Sequence, residues 1–322
     1  MHTHYEFKRS SFRFIVILFA TALAACQTLD PAPSQPTFDV LIVAGQSNAV
    51  GFDAFAADLP SNAADASVPF WWRVGDPPPD EFDSTSGSRV WRTLAAQPKG
   101  TPKPKGSERR QYGNFKSEGG GFGPEMGLVR RLAEERPAPD LAVIKVAFSG
   151  TSLQSDWRPT WEASPDPASE ADAPEVGACY RALIEETRIA LAATRQEGWE
   201  PRLRGFFWIQ GESDTVSGAA NAYAENMQGL IAALRRDLGA PKLPVLMAFN
   251  THFRGSDRPL VKAVVNAQRL VASDDPHAVY VDTSAATLAN AAHFDAPGTL
   301  NVGKWFAEAL LELEAAPPAM KR

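Results

Sequence analysis

Ser47, five histidines and three glycine- or glutamine-bearing loops carry the reactive possibilities of this chain. Ser47 lies in VLIVAGQSNAVG, residues 40 to 51, directly after an apolar run, with Gly45 and Gln46 before it and Asn48 after. Gly-x-Ser at the end of such a run puts the hydroxyl where open parallel sheets hold ligands, in the crevice beyond the carboxyl ends of the strands. Taken alone, the residue reads first as a helix N-cap, a role serine favours. To act as a nucleophile it needs a general base, usually histidine. His2 and His4 fall in an N-terminal export segment, and His277 precedes the fifth apolar run, at the wrong end of a sheet for Ser47. His252 follows the fourth run and His293 the fifth, and position alone does not separate them.

Acyl transfer also needs preorganised donors aimed at the developing oxyanion. Two segments offer them: Phe148-Ser-Gly-Thr-Ser152, where Gly150 permits an exposed N–H, and Trp208-Ile-Gln-Gly-Glu-Ser213, where the Gln210 amide can donate. A lone Gly-Thr-Ser is commonly just a turn. Polar clusters after the first, second, third and fifth apolar runs, all at one sheet edge, point to a site.

Five apolar runs read as buried strands: Val40 to Ala44, Leu141 to Phe148, Leu203 to Ile209, Val245 to Phe249 and Ala278 to Asp282. Between and after them come helical stripes, among them Tyr223, Met227, Leu230, Ile231, Leu234 and Leu238, stopped by Gly239. These stripes are core and imply no cofactor. Strand and helix alternating along the chain predict right-handed crossovers and a five-stranded parallel sheet in a three-layer α/β/α sandwich. Residues 53 to 121 break the pattern as a long irregular insertion with a Pro77-Pro78-Pro79 run and a basic stretch from Lys99 to Arg110. Its Phe70, Trp71, Trp72 and Trp91 either pin the excursion to the body or line a sugar site.

The chain has 322 residues and a formal net charge of −6. Lys8, Arg9 and Arg13 precede an apolar segment from Phe14 to Ala25 that is short for a membrane span, the pattern of an export signal over residues 1 to 25. Leu23-Ala24-Ala25-Cys26 resembles the bacterial lipoprotein cleavage box, so Cys26 is the expected lipidation site. An ordinary secretory signal is the alternative. A Pro-rich tether over 26 to 37, a single domain over 38 to 316 and a short tail over 317 to 322 follow. The anchored domain is expected in the bacterial cell envelope, facing periplasm or exterior. Without residues 1 to 25 the charge falls to −8, a poor match to a phosphate backbone, so no nucleic-acid partner is expected. Only Cys179 then remains, which leaves no intrachain disulfide. Nothing in the sequence sets an oligomeric state.

GQSN at 45 to 48, GPE at 123 to 125 opening a helix, SGTS at 149 to 152 followed by Trp157, QGES at 210 to 213 and HFDAPG at 293 to 298 together resemble the sialate O-acetylesterase-like domain. That domain includes carbohydrate esterase family six and falls within the SGNH (GDSL-like) hydrolase superfamily. The match runs from about Phe38 to Leu313 and implies a flavodoxin-like α/β/α fold, removal of acetyl esters from carbohydrates such as xylan or sialic acid, and neither metal nor organic cofactor. Carried over, it makes Ser47 the nucleophile, His293 the base, and the N–H groups of Ser47 and Gly150 with the Gln210 amide the oxyanion donors. The superfamily usually has an aspartate three residues before the histidine, where Asn290 stands here. The resemblance offers Glu212 as the replacement acid; after it, sequence position leaves an acid-free Ser-His dyad assisted by Asn290, then Asp295 or Asp282. Gln46, Asn290 and His252 remain candidates for orienting or substrate contacts.

The leading expectation is a membrane-tethered serine esterase acting on acetylated carbohydrate through an acyl-enzyme. Two alternatives stand beside it. The neutral residue at 290 also fits a carbohydrate-binding surface lipoprotein of the same fold, and the superfamily hosts esterases and acyltransferases for lipid or aryl esters.

Overall fold

A computed structural model describes residues 36–75, 86–100, 114–135, 140–159, 176–253 and 258–316. The export segment, Cys26, nearly all of the tether and the tail from 317 to 322 lie outside them, as do Lys103, Lys105, Arg109 and Arg110 of the basic stretch. The first strand, β1 (Thr37–Gly45), is apolar on both faces and lies at the centre of the sheet. It pairs in parallel with β4 (Leu141–Phe148) on one side and β5 (Glu200–Ile209) on the other. Beyond β5 come β6 (Val245–Ala248) and β7 (Ala278–Tyr280), also parallel. These are the five runs expected from the sequence.

The sheet has seven strands, in the order β3-β2-β4-β1-β5-β6-β7. The insertion supplies the other two: β2 (Pro69–Gly75) runs parallel to β4, and the two-residue β3 (Arg92–Thr93) pairs antiparallel at the edge. Phe70, Trp71 and Trp72 are buried on β2. The Trp71 indole donates to Glu186 Oε2 at 2.8 Å, and Trp91 meets Trp71 edge-on at 5.6 Å. The tryptophans therefore pin the excursion to the body, and the expectation of a wholly irregular insertion is corrected.

Alternate residues of the strands feed two separate cores, as the two-residue period of a strand requires. Val40, Ile42 and Ala44 of β1 and Ile144, Val146 and Phe148 of β4 face one core. That core is closed by α3 (Ala178–Gln196), α4 (Ser217–Asp237) and α5 (Pro259–Asp274), through residues such as Leu183, Met227 and Val264. Leu41, Val43, Val143 and Ala147 face the other core. It is closed by the one-turn α1 (Ser47–Val50), by α2 (Glu125–Glu135) and by α6 (Ala296–Ala315). Helices on both faces of one sheet make the three-layer α/β/α sandwich. Among the described residues no helix is long and apolar enough to cross a membrane.

A buried cation sits beneath α1. Lys145 of β4, which faces the second core, is fully buried, and burial lowers its pKa against the opposing pull of Glu125. Its ammonium donates to Glu125 Oε1 at 2.9 Å, Gln97 Oε1 at 2.7 Å and the carbonyl of Val50, the last residue of α1, at 2.8 Å. Glu125, from the GPE segment, also accepts from Gly123 N–H at 2.8 Å. One ion pair thus ties α1, α2, β4 and the insertion together. Removing one partner strands the other charge in the core, so Glu125→Ala is expected to cost about 3–5 kcal/mol, read as a lowered urea midpoint.

Candidate active site

β1 ends at Gly45, and Ser47 is the first residue of α1, where helix geometry leaves the backbone N–H without an intrahelical acceptor. The turn stops after four residues because Gly51 takes the left-handed conformation, φ 86°. A side chain there would meet the Phe122 carbonyl oxygen at 1.7 Å, so both the conformation and the space demand glycine. The reversal sends Phe52 and Asp53 back over Ser47.

Ser47 and His293 meet at the carboxyl edge of the sheet, with His293 Nε2 3.0 Å from Ser47 Oγ. The other ring nitrogen, Nδ1, lies 2.7 Å from Asp53 Oδ2. Asp53 is none of the three carboxylates the sequence suggested, Glu212, Asp295 and Asp282. Its side chain is 2% exposed, accepts from Asn290 Nδ2 at 2.8 Å and faces Lys116 Nζ at 3.0 Å. Burial alone would raise its pKa, but Lys116, Asn290 and His293 outweigh that and hold it below the usual carboxylate range. Burial pushes the His293 pKa below its ordinary value, and Asp53 opposes that shift by hydrogen bond and charge. The imidazole is therefore neutral at pH 7, with Nδ1–H donating to Asp53 and Nε2 free to accept from Ser47. Phe52 packs on the ring at 4.9 Å between centroids.

Glu212, the acid expected from the sequence, is elsewhere. Its Oε1 accepts from Asn48 Nδ2 at 2.7 Å and from Asn250 N–H at 3.3 Å, while Oε2 is buried with no partner among the described residues. Desolvation lifts its pKa to about 7. Asn48 and Asn250 each donate a side-chain amide to the Ala292 carbonyl at 3.0 Å, and Asn48 Oδ1 accepts from Phe294 N–H at 3.0 Å. Glu212 thus braces both neighbours of His293 without touching the ring. Asp295 and Asp282 do not reach it either. Asp295 caps α6 through Gly298 N–H at 2.7 Å, and Asp282 accepts from Ser284 N–H at 2.8 Å. The candidate base His252 binds the Ser284 carbonyl through Nε2 at 2.8 Å and does not line the cleft over Ser47. Gln46 turns its carbonyl oxygen to Ser213 N–H at 3.2 Å.

The cleft over Ser47 and His293 has a volume of about 300 Å³ and is lined among others by Ser149, Gly150, Glu212 and Phe52, with Val216 and Phe253 at its apolar side. Gly150 follows β4 in the left-handed conformation, φ 70°. The Gln210 amide, expected to point at an oxyanion, is fully buried and does not line the cleft. Its nitrogen donates to the Thr151 carbonyl at 3.0 Å and to Asp214, and its oxygen accepts from Tyr223 at 3.0 Å. Both amide hydrogens are spent, so that expectation is corrected. Asp214 also accepts from Leu153 N–H at 2.8 Å and Gln154 N–H at 3.1 Å. Gln210 and Asp214 therefore hold the loop that carries Gly150.

The chain matches the family described as carbohydrate esterase, sialic acid-specific acetylesterase over residues 37–312. No curated protein gives a significant match. Among solved structures, NanS is similar at a TM-score of 0.59 and 17% identity, covering 88% of this chain and 99% of that one. An Arabidopsis thaliana protein is similar at 0.56 and 20%, covering 86% and 99%. A carbohydrate acetylesterase from Xanthomonas citri is similar at 0.52 and 16%, covering 85% of this chain and 56% of its own. At these identities the three support the fold alone.

The electrostatics of the pair can be read directly by NMR. In the intact protein the His293 ring should titrate below 6.5, and Asp53→Asn should move it lower still, because the hydrogen bond and charge that favour the imidazolium are lost. An unchanged or higher value in the variant would contradict the Asp53 contact.

Proposed function

The chain belongs to the carbohydrate esterase family of sialic acid-specific acetylesterases, enzymes that hydrolyse carboxylic esters, and from that premise we propose that it removes O-acetyl groups from carbohydrate by a Ser47-His293-Asp53 mechanism. The observation that carries this reading is the continuous chain Ser47 Oγ to His293 Nε2 at 3.0 Å and His293 Nδ1 to Asp53 Oδ2 at 2.7 Å, opening on the cleft. Ser47 attacks the acetyl carbonyl as its proton passes to His293 Nε2, and the new C–O bond makes a tetrahedral oxyanion. The N–H groups of Ser47 and Gly150 are the backbone donors for that oxygen. Collapse breaks the ester bond, and the sugar oxygen leaves with the proton from His293. Water, deprotonated by the same histidine, then attacks the acetyl-enzyme, releasing acetate and restoring Ser47.

Asp53 holds the productive tautomer and offsets the imidazolium charge. The neutral Asn290 alone would suit a sugar binder, whereas Asp53 supplies the carboxylate that a hydrolase needs. Phe52, Val216 and Phe253 offer the cleft apolar surface suited to the faces of a sugar ring. Acetylxylan and acetylated sialic acid are the two substrate classes to compete.

The assay is hydrolysis of a small acetyl ester. Ser47→Ala should lose on the order of 10⁶-fold in kcat. Asp53→Asn should lose about 10³–10⁴-fold. Glu212→Gln, which keeps an oxygen for Asn48 and Asn250, should stay within about tenfold. A Glu212→Gln loss as deep as that of Asp53→Asn, with Asp53→Asn near wild type, would exchange the two roles. In wild type the acid limb of kcat/KM should fall below pH 6.5, because His293 must be neutral and its pKa is lowered.

We also propose export and lipid anchoring at Cys26, with the domain in the cell envelope, on the strength of Leu23-Ala24-Ala25-Cys26 after a basic, apolar leader. Cys26→Ser should shift the protein from the membrane to the soluble fraction. Membrane retention of that variant would overturn the anchor.

A further inference from the structure

We propose that the hydroxyl of Ser149 is the side-chain donor to the oxyanion, the role the Gln210 amide cannot fill. The inference rests on the Ser47 ester-hydrolysis reading and adds a residue that touches the reacting atoms. Three observations carry it.

The position comes from the sheet. Gly45 of β1 is in register with Ala147 of β4, and Ser47 and Ser149 each stand two residues further along these parallel neighbours. Val143, Lys145 and Ala147 of β4 point to the α1 side of the sheet, Lys145 reaching the Val50 carbonyl of α1 itself. Ser149 opens the turn directly after β4 and lines the same cleft as Ser47.

The state of the hydroxyl is the second observation. Ser149 is 2% exposed and lines the cleft with Ser47 and Gly150, yet its Oγ is buried without a hydrogen-bond partner among the described residues. Buried hydroxyls are normally paired, and one that is not costs the folded protein free energy. A donor held unpaired beside a nucleophile has its partner supplied only when negative charge appears on a bound acyl oxygen, the arrangement that stabilises a transition state over a ground state.

The third observation is the loop around it. Thr151 Oγ1 donates to the Phe148 carbonyl at 2.7 Å and accepts from the Trp157 indole at 2.8 Å. With Gln210 on the Thr151 carbonyl and Asp214 on Leu153 and Gln154, the backbone that follows Ser149 is fixed at several points. Gln210 thus serves the oxyanion site through this loop, as a positioning residue.

The test compares Ser149→Ala, Ser149→Thr and Ser47→Ala in the full-length protein, with a small aryl acetate as substrate and a simple boronic acid as tetrahedral mimic. Ser149→Ala should lower kcat about 10²-fold with KM within about twofold. Boronate affinity should fall in parallel. The melting temperature should not drop, since no intramolecular bond is lost. Ser149→Thr, which keeps a hydroxyl, should recover part of kcat. Wild-type kcat in Ser149→Ala overturns the proposal, as does a fall in kcat matched by a lower melting temperature with boronate affinity unchanged. Ser47→Ala separates the two levels: if it stays active the ester mechanism itself fails, whereas an inactive Ser47→Ala beside a fully active Ser149→Ala rejects only the role of Ser149.

Discussion

The contact between Asp53 and His293 joins residues 240 positions apart, and most of the architecture serves to keep it. A carboxylate with only 2% of its side chain exposed is costly to charge unless donors surround it. Asn290 and His293 donate to it from one loop, and Lys116 of the insertion pairs with its other oxygen. Asp53 reaches them because α1 ends after one turn at a left-handed glycine pressed against Phe122. Phe122 leads into the GPE segment, whose glutamate pairs with the buried Lys145, and Lys145 also grips the last carbonyl of α1. A salt bridge beneath the sheet edge thus sets the direction in which the acid is delivered above it.

The histidine loop is docked from the other side by neutral groups. Asn48 and Asn250 share the Ala292 carbonyl, Asn48 also receives Phe294 N–H, and Glu212 receives a hydrogen bond from each asparagine residue. All of these bonds to Glu212 end on Oε1. Its proton, when present, therefore belongs on Oε2, which has no partner among the described residues. The brace accordingly survives titration of Glu212 near neutral pH, and the positions of Ala292 and Phe294 do not depend on that charge. This separates two carboxylates that look alike in sequence: one feels the imidazole directly, the other holds the backbone on which the imidazole is mounted.

Hydrophobic pattern made the sandwich legible. The five apolar runs became β1, β4, β5, β6 and β7, and the helical stripes became the faces of α3 to α6. The insertion was harder, because its two strands have no helix between them among the described residues and so no alternation to announce them. Its signal was the run Phe70 to Val74, rich in residues that favour strands. Strand ends put Ser47, Gly150 and both His252 and His293 at one edge, and the family motifs singled out His293. Both failed for the acid and the amide for one reason. Which polar groups meet depends on turns and on competition between partners, and neither leaves a period in sequence. Asp53 is delivered by the Gly51 reversal, and the Gln210 amide is claimed by Thr151 and Asp214. The usable clue to Asp53 was negative: a neutral Asn290 in a position that usually holds the acid called for a carboxylate from another segment.

That neutral residue follows from the arrangement. Asn290 Nδ2 lies 2.8 Å from Asp53 Oδ2, so an aspartate at 290 would place two carboxylates against one another, and one of them would be driven to bind a proton. A shared proton would weaken the acceptor that His293 needs. As an amide, residue 290 instead donates to Asp53 and accepts from Ala292 N–H at 2.9 Å and His293 N–H at 3.1 Å, tying the acid to the loop of the base. With acid and base on one loop, the nucleophile alone must be docked. Here the nucleophile opens α1 and the acid lies just past its end, and the histidine is the element brought to them. Charge at position 53 and its absence at 290 are two halves of the same solution, and the asparagine is the consequence of where the acid already stands.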